Sequence, residues 1–236
     1  MNTNQPVCAI VGVGPGNGAA FAKRFSEAGY RIALIARSTE TTQQLARTLP
    51  DSRAYACDIT SQSDVETTFQ AICSEMGEIN TLIYNAGAGI WRNVEEITAE
   101  DFEQSWRVNA LGSFLAARQV IPAMKRNGCG NMIFVGATAS RRGNVLTAAF
   151  APAKAAQKSL VESMARHLGP SGIHVSLLIL DGVVDTPATR QMFPDKPDTF
   201  FMQPEDIADV AYDTATQKRS AWSSEVEIRP YGEKWN

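Results

Sequence analysis

Short apolar runs alternate with longer amphipathic stretches from one end of the chain to the other. The runs are rich in β-branched residues and are almost continuously apolar, which is typical of strands whose two faces are both covered by helices. They lie at residues 7–13, 31–36, 53–57, 81–84, 132–135, 174–179 and 226–228. The pattern therefore predicts seven buried strands.

The amphipathic stretches predict helices at residues 18–28, 41–49, 63–76, 98–126, 149–168 and 204–216. Several begin with start signals, such as Thr98, Ser63 and Pro204 ahead of acidic residues. No linker rich in Pro, Gly or Ser divides the series, so we expect one domain over residues 1–236. Its repeated strand–helix–strand order predicts a Rossmann-type α/β fold, a doubly wound, mainly parallel seven-stranded sheet with helices on both faces.

The composition limits the partners that the protein can have. The 236 residues are 44% hydrophobic and 20% charged, and 22 basic against 25 acidic residues leave a net charge of −3. This balance offers no basic surface for a nucleic acid. No apolar run approaches the roughly 20 residues that cross a bilayer, and no basic region precedes the first apolar segment. We therefore expect a cytoplasmic protein that binds neither nucleic acid nor membrane.

Cysteine and histidine offer no obvious metal or disulfide chemistry. The four cysteines, Cys8, Cys57, Cys73 and Cys129, are far apart and form no C-x-x-C pair, which favours buried free thiols. The two histidines lie in no metal-binding pattern. We expect no metal site. A hydrolase is excluded because the chain has no G-x-S-x-G elbow.

A glycine-rich turn follows the first predicted strand and leads into the first predicted helix. It carries Gly12, Gly14, Gly16, Asn17 and Gly18. Glycines at such a place bring backbone amides and a helix N-terminus against a pyrophosphate. A strand-to-helix turn that only requires positive φ would look similar, but its position favours a dinucleotide site.

The second predicted strand ends at Arg37. In a dinucleotide-binding unit this end faces the adenosine ribose, where an acid would bind the 2′-hydroxyl and an arginine would pair with a 2′-phosphate. The acid is missing here, so the sequence favours NADP(H) over NAD(H). The alternative is an ordinary solvated arginine.

Further motifs follow the remaining strands in order. They are Asp58-Ile59, Asn85-Ala86-Gly87, Asn109 in the long helix, and a segment that includes Gly182, Val184 and Thr186. Together with the glycine turn they resemble the short-chain dehydrogenase/reductase family over nearly the whole chain. Two positions depart from the family pattern, since Val11 replaces a usual threonine and Asp181 replaces a proline.

The resemblance implies roles for these residues. Asp58 and Ile59 would lie at the adenine, and the Val184 backbone and Thr186 side chain would hold the nicotinamide amide. Gly182 and the segment Asn85-Ala86-Gly87 would complete the cofactor site. The family transfers a hydride between the nicotinamide and a carbonyl or alcohol carbon of a small molecule.

The catalytic pattern is incomplete. By resemblance a tyrosine would exchange the oxygen's proton, a lysine four residues later would acidify it, and a serine would hold the substrate oxygen. Lys154 and Asn109 are present, but Phe150 and Ala137 stand at the tyrosine and serine positions. Lys154 would still bind the nicotinamide ribose, and Asn109 would still support a water chain to Lys154. Alternatively, Phe150 is simply an apolar residue packed at a helix start.

Two hypotheses follow. The first is an NADP(H)-dependent oxidoreductase with an atypical site, in which water, substrate, Thr138 or Ser140 supplies the proton. The second is an NADP(H)-binding protein without turnover, acting as a sensor or partner subunit. Losing a general acid removes about 10²- to 10⁴-fold in rate, whereas cofactor binding needs no such hydroxyl.

The segment 187–203 lies where the family carries its substrate lid. Its apolar side chains are Met192, Phe193, Phe200, Phe201 and Met202. They would form an adaptable pocket wall, or would pack on the core or at a subunit contact. Trp91 would form the opposite wall. The resemblance also implies that the long helices around Asn109 and Lys154 pair in a homodimer or homotetramer.

Overall fold

The computed structural model describes residues 5–232. Seven parallel strands form one sheet in the order β3-β2-β1-β4-β5-β6-β9. These strands are β1 (Val7–Val11), β2 (Arg31–Ala36), β3 (Ser52–Ala56), β4 (Ile79–Tyr84), β5 (Gly130–Ala137), β6 (Ile173–Leu180) and β9 (Glu225–Ile228). The order reverses between β1 and β4, which confirms the predicted doubly wound Rossmann-type sheet.

Helices cover both faces of the sheet. They are α1 (Asn17–Glu27), α2 (Glu40–Thr48), α3 (Gln62–Met76), α4 (Ala99–Trp106), α5 (Gly112–Asn127), α6 (Phe150–Leu168), α7 (Pro187–Met192) and α8 (Pro204–Ala215). The prediction of seven buried strands is wrong for the two edge strands, β3 and β9, which are only partly buried. Alternate residues of β1 show why an interior strand is apolar throughout. Ala9 and Val11 belong to the cluster against α3, α5 and α6, whereas Cys8 and Ile10 belong to the cluster that includes residues of α1 and α8.

The single helix predicted over residues 98–126 is interrupted. Thr98 caps α4, as predicted, by accepting the Asp101 backbone N–H at 3.1 Å. Residues Arg107–Leu111 then form a π-helical turn before α5 begins. Hydrophobic periodicity does not reveal such a one-residue expansion, and π turns are frequent at functional sites. This one contains Asn109.

The C-terminal third contains elements that the sequence pattern did not predict. Two short strands, β7 (Val183–Val184) and β8 (Phe201–Met202), pair in parallel outside the main sheet. They enclose α7, so most of the segment predicted as a lid is folded on itself. A parallel pair between two-residue strands leaves no alternation to detect.

The prediction of four buried thiols is wrong at two positions. All four cysteines are free, but only Cys8 and Cys57 are buried, whereas Cys73 and Cys129 are exposed. Cys73 lies on the outer face of α3, and Cys129 lies in the turn between α5 and β5. None of the helices within residues 5–232 combines the length and apolar character that a bilayer crossing requires.

Candidate active site

A cleft of about 400 Å³ opens beyond the carboxyl ends of β1, β2 and β4. Most of the predicted cofactor residues line it together. They are Gly12, Gly14, Arg37, Asp58, Ile59, Asn85, Ala86 and Gly87. The cleft lies at the point where the strand order reverses, which is where doubly wound sheets bind their ligands.

The glycine turn is packed directly against the segment that follows β4. Gly12 leaves β1 with φ at +87°, and a Cβ added there would lie 2.4 Å from the backbone nitrogen of Ala86. Asn85 fixes this approach because its Nδ2 donates to the Gly12 carbonyl at 2.7 Å. A Cβ on Gly18 would lie 2.6 Å from Cα of Val13. Both glycines are therefore required by close backbone packing.

The rest of the turn faces open space. A Cβ added to Gly14 would have no atom within 4 Å. Asn17 begins α1, and its buried Oδ1 has no hydrogen-bond partner within the described chain. The turn thus presents glycine backbone beside a helix N-terminus.

Arg37 is exposed at the end of β2 and lines the cleft with Ser38 and Thr41. Across the cleft, Asp58 Oδ1 accepts the Thr60 backbone N–H at 2.9 Å and the Thr60 hydroxyl at 2.8 Å. These two hydrogen bonds lower the pKa of the Asp58 carboxyl below its usual value. Asp58 is therefore ionised near neutral pH and fixed in orientation.

Lys154 is buried in the floor of the site. Its Nζ donates to the Val135 carbonyl at 2.7 Å and to Gln157 Oε1 at 3.0 Å. Burial lowers the pKa of Lys154 from 10.5 to about 7, because removal from water penalises the charged form. A Cβ on Gly87 would lie 4.0 Å from this Nζ and 3.4 Å from Asn109 Oδ1, so the three predicted elements of the site converge.

Asn109 is linked to Lys154 by side chains. Gln157 Nε2 donates to Ser113 Oγ at 2.9 Å, and the Ser113 hydroxyl donates to the Asn109 carbonyl at 2.7 Å. Asn109 Nδ2 donates to the Ala88 and Ser105 carbonyls at 3.2 and 2.9 Å. The side chains of Ser113 and Gln157 thus connect the Asn109 backbone carbonyl to Lys154, and the water chain expected between Asn109 and Lys154 stays a prediction.

An apolar surface occupies the place of the missing hydroxyls. Phe150 is the first residue of α6, one turn before Lys154, and is buried with Ala139 and Ala151, against which Ala137 also packs. The indole of Trp91 lies over Phe150 with ring centroids 5.4 Å apart. Trp91 itself is 57% exposed, so much of its surface remains open to a ligand.

The two candidate hydroxyls are both engaged. Thr138 Oγ1 donates to Asp181 Oδ1 at 2.5 Å, and Asp181 Oδ2 pairs with the guanidinium of Arg229. Ser140 is 4% exposed, and its Oγ accepts the Ala137 backbone N–H at 3.1 Å. Asp181, which the sequence showed only as a departure from the family pattern, therefore orients Thr138.

The family model for short chain dehydrogenases matches residues 6–197. The chain belongs to the short-chain dehydrogenase family. It is therefore an oxidoreductase of the dehydrogenase/reductase class. The match spans the glycine turn, the segment after β4, Asn109, Lys154 and the Gly182–Thr186 region.

Relatives and solved structures of short-chain dehydrogenases agree with this assignment. The mouse 3-oxoacyl-[acyl-carrier-protein] reductase is 29% identical over 187 residues, which cover 79% of this chain and 78% of the relative. A short-chain dehydrogenase from Rhodopseudomonas palustris superposes with a TM-score of 0.83 at 30% identity, covering 96% and 99% of the two chains. A metagenomic short-chain oxidoreductase in complex with NADP gives 0.84 at 25% identity, covering 98% and 100%.

The second cofactor segment of this short-chain dehydrogenase closes against the first. A Cβ on Gly16 would lie 3.0 Å from Cγ2 of Thr186. Thr186 caps α7 by accepting the Thr189 backbone N–H at 3.2 Å, and the Thr189 hydroxyl donates to the Val184 carbonyl at 2.6 Å. The Thr186 hydroxyl and the Val184 carbonyl are therefore fixed by hydrogen bonds to Thr189 of α7, and Thr186 lies beside the glycine turn.

Only part of the predicted lid remains free. Phe201 and Met202 are buried, and Met202 belongs to the core cluster that includes residues of α1 and α8, so for these two the core alternative is right. Met192 is 64% exposed and Phe193 is 37% exposed. Arg190 fixes the segment by ion pairs with Asp185 and Asp198.

Gln157 and Ser113 were missed at the sequence level. Gln157 follows Lys154 by three residues, and Ser113 follows Asn109 by four. Residues at these spacings lie on the same face of a helix. A polar residue placed on the buried face of each helix was the signal that could have identified them.

Proposed function

We propose that the protein is an NADP(H)-dependent oxidoreductase that transfers a hydride between the nicotinamide and a carbonyl or alcohol carbon of a small, apolar substrate. The observation that carries this proposal is the cleft of about 400 Å³, which gathers the glycine turn, Arg37 and the segment Asn85–Gly87. The open space at Gly14 and the N-terminus of α1 fit the pyrophosphate of a bound dinucleotide.

Preference for the 2′-phosphate rests on Arg37. A guanidinium forms charge-assisted hydrogen bonds to phosphate, and the three residues that directly follow β2, Arg37, Ser38 and Thr39, include no carboxylate to bind a 2′-hydroxyl instead. The metagenomic relative that was solved with NADP supports the same cofactor. Asp58 and Ile59 would contact the adenine at the neighbouring strand end.

At the other end of the cofactor, Lys154 would hold the nicotinamide ribose, with Gln157 and Asn109 keeping its ammonium in place. The bound cofactor supplies a hydride at C4 of the nicotinamide. Gly182, Val184 and Thr186 would support the carboxamide. Trp91 and Phe150 would exclude water from the reacting carbon and bind the apolar part of the substrate.

The experiment that tests the cofactor is titration calorimetry of Arg37→Ala with NADPH and NADH. We expect NADPH affinity to fall by about 10- to 100-fold, because the side chain supplies hydrogen bonds to a charged group, and NADH affinity to stay within about 2-fold. Arg47→Ala, an exposed arginine on α2 outside the cleft, should change neither. An equal loss for both cofactors would remove the 2′-phosphate assignment.

Binding without turnover is the competing function, and the absence of hydroxyls at Phe150 and Ala137 favours it. Both functions predict NADPH binding. They differ in an assay of NADPH oxidation with a broad panel of carbonyl compounds. Slow but enzyme-dependent oxidation in this assay supports the oxidoreductase. If neither the wild type nor Phe150→Tyr oxidises NADPH, the sensor or partner-subunit function is the better one.

A homodimer or homotetramer remains part of the proposal. Three large aromatic side chains are exposed along α4 and α5, namely Phe102, Trp106 and Phe114. Such a row on the helices near Asn109 suits burial against a second copy of the chain. Light scattering after size exclusion checks this, and a monomer at micromolar concentration would contradict it.

A further inference from the structure

The positions where the family pattern has its tyrosine and serine hydroxyls offer no side-chain hydrogen-bond donor in this protein. Phe150 and Ala137 carry no polar hydrogen, and the Thr138 proton is donated to Asp181. Two protons of the Lys154 ammonium go to the Val135 carbonyl and Gln157 Oε1. A neutral carbonyl oxygen, which accepts hydrogen bonds, therefore finds few donors here.

The same groups are good acceptors and good partners for a cation. Thr138 keeps its lone pairs, since its hydrogen is used. Trp91 presents an indole that is 57% exposed, and its neighbour Phe150 extends the aromatic surface. Aromatic faces attract cations, and tryptophan does so most strongly.

Nearby positive charges are largely neutralised. Arg229 pairs with both Asp181 and Glu227, and Arg142 lies 3.8 Å from Asp181. Burial lowers the pKa of Lys154 to about 7, which reduces its charge in neutral solution. A cationic ligand beside Trp91 therefore meets little net repulsion.

Resting on the proposed function, we propose that the favoured substrate is an iminium ion, held on Trp91 and Phe150, and that ketones react much more slowly at the same site. Hydride addition to a ketone carbon leaves an alkoxide that must take a proton. Hydride addition to the carbon of C=N⁺ moves the π pair onto nitrogen and gives a neutral amine. NADPH supplies the hydride and becomes NADP⁺, so atoms and electrons balance without an acid.

The binding experiment uses N-methyl-3,4-dihydroisoquinolinium, a permanent cation, and α-tetralone, a neutral ketone of similar shape. Calorimetry is done on the protein saturated with 1,4,5,6-tetrahydro-NADP, whose nicotinamide ring is neutral like that of NADPH and cannot donate a hydride, so that no turnover occurs and no cationic ring repels the probe. We expect Trp91→Leu to weaken binding of the cation by about 5- to 30-fold, as loss of a desolvated cation–π contact implies, and to change tetralone affinity by less than about 2-fold.

Trp222→Leu is the matched control. Trp222 stacks on His174 near the amino end of β6, at the opposite edge of the sheet from the ligands. It should leave cation binding as in the wild type. Unchanged binding of the cation by Trp91→Leu, with tetrahydro-NADP affinity intact, would overturn the proposal.

The kinetic experiment compares the two probes with NADPH against an enzyme-free control. We expect the iminium to react at least about 100-fold faster than tetralone, because only the ketone requires the missing acid. Phe150→Tyr should accelerate tetralone and not the iminium.

The outcomes separate the two proposals. If the wild type reduces tetralone as fast as the iminium, or if Phe150→Tyr reduces tetralone while the iminium neither binds nor reacts, the iminium inference is wrong and the oxidoreductase stands. If NADPH itself does not bind, both the proposed oxidoreductase function and the iminium inference are wrong.

Discussion

The site has two ends, one at the glycine turn and one around Phe150, and they differ in the groups that they retain. Around the glycine turn, backbone contacts leave no freedom, as the 2.4 Å approach at Gly12 shows. Around Phe150 the fold is equally well packed, but the groups that exchange protons are replaced by rings and methyl groups. Packing at one end shapes the cleft that we propose binds a dinucleotide, and packing at the other end shapes an apolar surface.

This difference separates what backbone groups must supply, which is cofactor binding, from what a side chain must supply, which is proton transfer. A pyrophosphate is bound by amides and a helix N-terminus, which many sequences supply once the glycines are present. Proton transfer needs one side chain within hydrogen-bond reach of one atom. The second requirement can be lost at Phe150 without disturbing the first, because Phe150 still packs on Trp91 and still begins α6.

Restoring the hydroxyls should have the largest effect. The double variant Phe150→Tyr with Ala137→Ser puts a phenol one helical turn before Lys154 and a hydroxyl at the end of β5. We expect kcat/KM for a ketone such as α-tetralone to rise by about 10²- to 10⁴-fold, the usual contribution of a general acid.

NADPH oxidation at 340 nm measures this gain, and NADPH affinity should stay within about 2-fold of wild type. Phe150→Leu with Ala137→Ser serves as the control, since it changes the same positions without adding the phenol. A double variant that binds NADPH but reduces no ketone would show that the catalytic residues are misplaced, and that the missing hydroxyls are not the only defect.

Gly12→Ala tests the intact end. The substitution places a Cβ against the backbone of Ala86 and imposes a positive φ on a residue with a side chain. Strain of this kind costs about 1–2 kcal/mol and overpacking about 1–3 kcal/mol more. We expect the melting temperature of the apo protein to fall by about 10 °C, measured by scanning calorimetry.

Gly14→Ala is the paired control because a Cβ there meets no atom within 4 Å. Its melting temperature should stay within about 2 °C of wild type. Equal destabilisation by both variants would mean that the contact with Ala86 does not decide the cost, because the lower unfolded-chain entropy of alanine would by itself stabilise both variants.

The sequence predicted which residues converge at the proposed cofactor end in more detail than at the catalytic end, for a physical reason. Residues that follow strands converge at one edge of a parallel sheet, so Gly12, Arg37, Asp58 and Asn85 could be brought together from their order alone. Lys154 and Phe150 could be related because i and i+4 share a helix face.

What the sequence did not predict depends on contacts between elements. Thr138, Asp181 and Arg229 directly follow the neighbouring strands β5, β6 and β9, and their pairing depends on the order of these strands in the sheet. The π turn at Asn109 expands the helix by one residue, and no hydrophobic periodicity reveals it. Strand pairing and helix expansion are tertiary outcomes with no periodic signal.

Lys154 links the two ends, and its burial predicts a pH effect on stability. Its pKa is about 7 in the folded state, against 10.5 for an exposed lysine. Between these values the unfolded chain binds more protons, so stability rises with pH, and below about pH 7 the dependence on this group ends. The destabilising cost of burying Lys154 is therefore greatest at and below pH 7.

Lys154→Met removes this dependence. Raising the pH from 7 to 9.5 should increase the melting temperature of the wild type relative to the variant by roughly 5–10 °C. Lys23→Met, an exposed lysine on α1, should follow the wild-type curve. Parallel curves for Lys154→Met and wild type would mean that the ammonium remains charged in the folded protein and finds solvent or a counter-charge.

Gln157→Leu should have the smallest effect of these variants on the property measured. It tests whether the hydrogen bonds from Lys154 through Gln157 to Ser113 contribute to NADPH binding. Leucine removes the acceptor that holds Lys154 and the donor to Ser113. Loss of one net hydrogen bond implies a reduction in NADPH affinity of about 2- to 10-fold. Gln157→Glu keeps an acceptor for Lys154 and should recover most of that affinity.

Calorimetry with NADPH and a melting curve of the apo protein separate positioning from packing. A loss of stability with full NADPH affinity in Gln157→Leu would assign Gln157 to the core alone. Recovery by Gln157→Glu would instead show that Lys154 must be held by an acceptor before it can serve the ribose. The lysine would then belong with the glycine turn as part of the intact binding end, and the altered end would be confined to Phe150, Ala137 and the surface they share with Trp91.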